Sequence, residues 1–306
     1  MRFRTLALLG FLFAFGLVGV ACSDEGYFDS QGVKIHYTVQ GEGEPVLLIH
    51  GFTMNLQTQW APIIRALEGE YRVIAIDNRG HGRSDKPHDP QKYGAEMVED
   101  QVRLLDHLDI DRAHVVGYSM GGFITNKLLV THPDRVKTAT LGGAGWSREN
   151  DARMKTMTDL AESLEAGRGI TPLIERLTPA GRPKPTEEQL RTINEMVMFT
   201  NDPKALAAVI RGMQGLVVAE EQLRANQVPT LALIGEEDPL KEGVDALAGI
   251  MPNLEVVVID DADHMDAPRR AEFIDQLKQF LAKHRDKEGA SGSAPRKVAE
   301  PAGASG

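Results

Sequence analysis

The sequence predicts an α/β fold, a doubly wound and mostly parallel sheet with a helical cap inserted into it. Three observations carry this. Short apolar runs recur with helix-spaced segments between them, the alternation that builds a parallel sheet covered on both faces. The alternation stops between about Trp146 and Val218 and then resumes, as it would around an insertion. One apolar run also enters a glycine-rich turn, 117–122, that leads straight into a helical pattern.

In chain order, the first element is not expected to belong to the fold. Arg2 and Arg4 precede an apolar run from Leu6 to Val20, interrupted by Gly10, Gly16 and Gly19. A basic start, a short apolar stretch and small residues after it read as an export signal over 1–21. The sole cysteine stands in Gly19-Val20-Ala21-Cys22, where cleavage would fall. This resembles a bacterial lipoprotein signal, with Cys22 as the lipidated residue and a membrane reached through that anchor. Gly19 departs from that pattern, since a leucine-like residue is usual there. Plain cleavage after Ala21, giving a periplasmic protein, and a retained apolar anchor stay open. Each alternative places the protein in the cell envelope.

The first part of the core is expected over 22–145. Val33–Val39 alternates as a strand, and Pro45–His50, Val73–Ile76, His114–Val116 and Thr138–Leu141 read as strands buried on both faces. Glu96–Leu108 has helical spacing. The segment 146–218 has three helix-like pieces, Ala152–Leu164, Thr186–Met198 and Pro203–Met213, and no convincing strand. Its methionines 154, 157, 196, 198 and 213 either seal this cap onto the core or line an adaptable apolar pocket. The second part of the core, 219–283, has strands that read as buried on both faces at Thr230–Ile234 and Leu254–Ile259 and a helix at Arg270–Leu281. In the tail, 284–306, fourteen of the last eighteen residues are Gly, Ala, Ser or Pro, too few apolar groups to order a segment.

Composition narrows the function. A net charge of −10 opposes nucleic-acid binding, which needs a basic surface. A single cysteine excludes an intramolecular disulfide framework and a cysteine-rich metal site.

The chemistry centres on Val115-Val116-Gly117-Tyr118-Ser119-Met120-Gly121-Gly122, which contains G-x-S-x-G between a strand and the helical stretch Phe123–Thr131. So tight a turn strains the serine and lifts its hydroxyl above the sheet, beside the positive end of a helix. A serine hydroxyl needs a base to take its proton, and that base needs a carboxylate to orient it. Asp238 follows the strand ending Leu233-Ile234, and His264 follows the strand ending Val258-Ile259. Both stand at strand ends in the order Ser, acid, His. Glu236 and Glu237 are rival acids, with Asp238 in the better place. His36, His88, His107 and His114 lack the strand-end context. An oxyanion needs two backbone N–H donors. Met120 should supply one, and Phe52, in His50-Gly51-Phe52-Thr53, the other. His50 reads as a structural hydrogen-bonder. Asp77-Asn78-Arg79-Gly80-His81-Gly82-Arg83-Ser84-Asp85 reads as a turn pinned by Asp77 and Arg79.

Together these segments, with Gly235-Glu236-Glu237-Asp238-Pro239 and Asp263-His264, resemble the α/β-hydrolase superfamily over roughly Gly26 to Lys283. The resemblance implies an eight-stranded sheet, a cap in this place, and no metal or organic cofactor. Superfamily members that pass through an alkyl-enzyme ester carry aspartate at the elbow, where this chain has Ser119. The short loop at His50–Thr53 resembles that of carboxylesterases, enol-lactonases, carbon–carbon bond hydrolases and cofactor-free perhydrolases. The expected reaction is hydrolysis of a small-molecule carboxylic ester with a small to medium apolar acyl group. A lactone or carbon–carbon hydrolase with the same triad, or a ligand-binding protein on this scaffold, are the alternatives.

Overall fold

The structure, a computed structural model, describes residues 24–146 and 151–286, with the side chains of 151–154 excepted. The expected export signal, Cys22 and residues 287–306 of the tail lie outside the described residues. Among the described residues no helix is long and apolar enough to cross a membrane.

Eight strands form one sheet: β1 (Asp24–Asp29), β2 (Lys34–Gln40), β3 (Glu44–Ile49), β4 (Tyr71–Ile76), β5 (Ala113–Tyr118), β6 (Val136–Gly142), β7 (Thr230–Gly235) and β8 (Leu254–Ile259). Their order is β1-β2-β4-β3-β5-β6-β7-β8. From β4 to β8 all pairs are parallel, whereas β2 runs antiparallel to both β1 and β4. The central strands are apolar on both faces because both are covered. Alternate residues point to opposite sides of a strand. Val46, Leu48 and Val116 therefore pack with Trp60, Ile63, Phe273 and Leu277, while Leu47, Ile49 and Val115 pack with Met97, Leu104, Ile124 and Leu128. One face thus carries α1 (Leu56–Leu67) and α10 (Ala271–Lys283). The other carries α2 (Ala95–His107), α3 (Met120–Thr131) and α9 (Lys241–Ala248). Each fully buried leucine of these strands contributes about 1.5–3 kcal/mol of transfer free energy.

Helices α4 (Asp151–Glu165), α5 (Thr171–Leu177), α6 (Glu187–Thr200), α7 (Pro203–Gly212) and α8 (Glu220–Arg224) lie between β6 and β7. The residues expected to bound the cap, Trp146 and Val218, are joined: the Trp146 indole N–H donates to the Val218 carbonyl at 2.9 Å. The chain thus leaves the sheet and returns to it at one clasped point. Asp202 and the Thr186/Gln189 pair cap α7 and α6.

Two sequence expectations change. The run Leu254–Ile259 reads as buried on both faces, but β8 is the sheet's edge, with Glu255 exposed and Val256 37% accessible. The ordered body also runs past His284: the Asp286 backbone N–H donates to Glu44 Oε1 at 2.6 Å, and Asp286 pairs with Lys137.

Candidate active site

Ser119 stands between β5 and α3 with φ +53° and ψ −115°. A non-glycine residue holds such a conformation at a cost of about 1–3 kcal/mol, so its surroundings must impose it. Its N–H donates to the Gly142 carbonyl at 2.8 Å, and its carbonyl accepts from Phe123 N at 3.1 Å. The flanking glycines leave room for the turn. A Cβ on Gly121 would stand 1.9 Å from the Ile49 carbonyl oxygen, and one on Gly117 2.1 Å from that of Gly121.

The loops after β7 and β8 bring the other two expected side chains to this point. They are bonded together along the backbone: Glu236 N donates to Ile259 O at 2.9 Å and Glu237 N to Ala262 O at 2.9 Å. Asp263 pins the histidine loop, its carboxylate accepting from Met265 N at 2.8 Å and Asp266 N at 3.1 Å. The result is a linear relay. Ser119 Oγ lies 2.9 Å from His264 Nε2, and His264 Nδ1 lies 2.7 Å from Asp238 Oδ2. Asp238 Oδ1 accepts from Leu240 N at 2.8 Å, which fixes the carboxylate. Asp238 and His264 are both buried. With its Nδ1–H donated to a carboxylate, the imidazole presents a free lone pair on Nε2 to the serine hydroxyl.

The rival acids face elsewhere. Glu236 accepts from Asp261 N at 3.2 Å, and Glu237 pairs with Arg182 of the loop between α5 and α6.

Gly51 follows β3 and passes directly beside the serine; a Cβ there would be 3.3 Å from Ser119 Cβ. Phe52 and Met120 both line the cavity that Ser119 and His264 open into. Met120 begins α3, so its N–H belongs to a first helical turn, whose N–H groups have no acceptor within the helix. His50 donates from Nδ1 to the Gly51 carbonyl at 2.8 Å, and its Nε2 accepts from Asn78 N at 3.0 Å. Burial holds its pKa below the usual imidazole value. Both nitrogens are therefore committed to shaping the loop, as the sequence reading expects. The turn at 77–85 is likewise internal. Asp77 accepts from Leu56 N and Arg83 N, and Arg79 makes two 2.6 Å bonds to the Asp100 carboxylate.

The cavity has a volume of about 1090 Å³. Its buried lining includes the apolar Trp146, Ile170, Ile210 and Met213, and its exposed lining includes Arg182, Glu242, Arg269 and Met265. Of the cap methionines, Met157 and Met213 line it, while Met196 is 61% exposed to solvent. The side chain of Met154 lies outside the described residues. No group of three or more metal-ligating side chains gathers among the described residues.

Comparison with known proteins agrees with this geometry. Residues 44–169 match the family described as alpha/beta hydrolase fold. An (E)-2-((N-methylformamido)methylene)succinate hydrolase of Acinetobacter baylyi is 30% identical over 249 residues, 80% of this chain and 92% of its own. The chain belongs to the alpha/beta hydrolases. A solved N-acyl homoserine lactone degrading enzyme is 30% identical with a TM-score of 0.68, covering 83% of this chain and all of its own. A thermophilic esterase from Thermogutta terrifontis shares the fold, at 24% identity and a TM-score of 0.72 over 86% of this chain and all of its own. Hydrolase activity is thus a property of the family to which this alpha/beta hydrolase belongs.

Three contributors to the site have no sequence-level signal of their own. Tyr118 is the variable residue before the serine, yet its hydroxyl donates to the His264 carbonyl at 2.6 Å. The Asn201 side chain, at the end of α6, donates to the Thr53 carbonyl at 3.3 Å and so ties the cap to the loop of Phe52. Arg182 reaches from the cap to Glu237 and, at 3.8 Å, to Asp263, the residues just before Asp238 and His264. Only the G-x-S-x-G spacing hinted at the first, by placing residue 118 at the strand end.

Proposed function

We propose that this alpha/beta hydrolase cleaves carboxylic esters with an apolar acyl group through an acyl-enzyme on Ser119. The observation that carries the reading is the relay from Ser119 Oγ through His264 to Asp238, opening into a largely apolar cavity. Ser119 Oγ bonds to the ester carbonyl carbon as its proton passes to His264 Nε2. Asp238 holds the imidazolium that forms. The backbone N–H groups of Phe52 and Met120 donate to the carbonyl oxygen as it gains charge. The C–O bond to the alcohol breaks, and His264 returns the proton to the departing oxygen. Water, deprotonated by the same nitrogen, then releases the acid. The buried apolar lining of the cavity receives the acyl group.

A lactone is a cyclic ester and needs no change in this sequence of steps. The likeness to the lactone-degrading enzyme favours it as the second reading. Hydrolysis of p-nitrophenyl esters from acetate to decanoate, with Ser119→Ala as the blank, tests the first reading and sizes the acyl pocket. A Ser119-dependent rate on lactones with none on open-chain esters would favour the second. We also propose export and attachment through Cys22, on the sequence of residues 2–22 alone. Mass spectrometry of the mature N-terminus checks it.

A further inference from the structure

The cavity wall carries three arginines, and they differ in how their charge is met. Arg182 is balanced by Glu237 and Asp263. Arg269 stands exposed, where water solvates it. Arg176 has neither a carboxylate partner nor full exposure. It is half-buried, it lines the cavity, and no carboxylate oxygen of the described residues lies within 4.0 Å of its guanidinium. On α5 it shares the cavity-lining face with Leu173 and Leu177, at helical spacing. A cation in the last turn of a helix gains from the helix dipole wherever it points. That gain does not account for a position among apolar cavity residues. A guanidinium at a cavity wall with no carboxylate partner is open to a bound anion, with which it makes charge-assisted hydrogen bonds. Two acids also line the cavity: Glu242, which is exposed, and Asp263, whose carboxylate accepts from Met265 N and Asp266 N and lies 3.8 Å from Arg182.

We infer that the substrate is an ester whose alcohol half carries a carboxylate, and that Arg176 receives that carboxylate. The inference rests on the ester-hydrolase reading, in which the buried apolar lining takes the acyl group. The alcohol half then extends towards the solvent-exposed lining, and Arg176, half-buried on α5, is intermediate in exposure between the buried apolar lining and the exposed Arg182 and Arg269. A planar guanidinium can bind a carboxylate through two parallel N–H bonds, which sets orientation as well as affinity. Arg176 is thus a specificity-determining residue for this alpha/beta hydrolase.

The test compares two esters with the same butyryl group: 4-butyryloxybenzoate, whose leaving group carries a carboxylate, and its neutral methyl ester. Their kcat/KM ratio is measured in the full domain, in Arg176→Gln, in Arg176→Lys and in Arg269→Gln. Because the ratio is taken within each variant, a general loss of activity cancels. The expected result is a preference for the carboxylate of about 10-fold or more, carried mainly by KM. That preference should collapse in Arg176→Gln, return in part in Arg176→Lys and persist in Arg269→Gln. A ratio near one in the parent protein, with the neutral ester still cleaved, overturns the inference and leaves the esterase reading standing. A preference that survives Arg176→Gln but vanishes in Arg269→Gln overturns it too. Cleavage of neither ester by folded protein removes the esterase reading on which it rests.

Discussion

Two buried histidine–carboxylate pairs lie in this molecule with nearly the same geometry. His264 Nδ1 meets Asp238 Oδ2 at 2.7 Å, and His36 Nδ1 meets Asp77 Oδ2 at 2.8 Å. What separates them is the far side of each ring and the remaining work of each carboxylate. His264 Nε2 faces a serine hydroxyl held in a strained turn at a large cavity. His36 Nε2 faces Glu25, at 3.4 Å, on the antiparallel edge of the sheet. Asp238 spends its second oxygen on one loop N–H, whereas Asp77 ties the start of α1 to the turn at 77–85 through Leu56 N and Arg83 N. A buried His–Asp contact is therefore not a catalytic signature. The nucleophile beyond the ring makes the one pair chemical, and the carboxylate's backbone partners make the other architectural.

The largest expected effect separates the pairs at once. Ser119→Ala should lower kcat by about 10⁴-fold or more while the melting temperature stays within a few degrees. A loss of folding instead would mean that the elbow serine is structural. Next, Asp238→Asn should cost about 10³–10⁴-fold in kcat by upsetting the orientation and tautomer of His264. Asp77→Asn should instead show mainly as destabilisation, about 1–3 kcal/mol in a denaturant titration. Were the two variants to exchange phenotypes, the comparison would fail. Glu237→Gln, beside Asp238 but facing Arg182, should change kcat far less than Asp238→Asn.

A smaller effect is expected at Tyr118, which holds the histidine loop through the His264 carbonyl. Tyr118→Phe should lower kcat roughly tenfold with little change in KM, since one hydrogen bond that positions the base is lost. A last effect concerns pH and acts on stability and not on turnover. Burial holds His81 at a pKa of about 3 and His114 at about 4, against 6.5 for a free imidazole. Both are neutral in the folded chain, and the unfolded chain takes up their protons first as pH falls. Their contribution is present above pH 6.5 and is lost progressively towards pH 3. The melting temperature should fall over that window, and His114→Gln, remote from the cavity, should flatten the fall.

The contrast between the pairs also explains what the sequence discloses. His264 and Asp238 are legible because a parallel sheet delivers strand-end loops to one edge, so order along the chain predicts meeting in space. The same rule excludes His36, since it stands inside a strand. The central strands are legible because burial on both faces leaves an unbroken apolar run. β1 is not: Asp24–Asp29 is an edge strand with a single buried side chain, Phe28, and its charged residues conceal it. α1 shows a helical pattern, Leu56, Trp60, Ile63, Ile64 and Leu67, but Pro62 inside it resembles a break. Three of the helices between β6 and β7, α4, α6 and α7, are legible by period, whereas the short α5 and α8 are not. Their contacts with the core are not, because Asn201, Arg176 and Arg182 act through tertiary placement that no local pattern encodes.

The central claim is that Ser119 becomes acylated. The most direct measurement mixes enzyme with p-nitrophenyl butyrate, quenches in acid within a turnover, and maps the adduct by peptide mass spectrometry. The account predicts a butyryl group on the peptide containing Ser119, and its absence in Ser119→Ala. Ester turnover with no adduct on that peptide, or with the adduct on another residue, would contradict it.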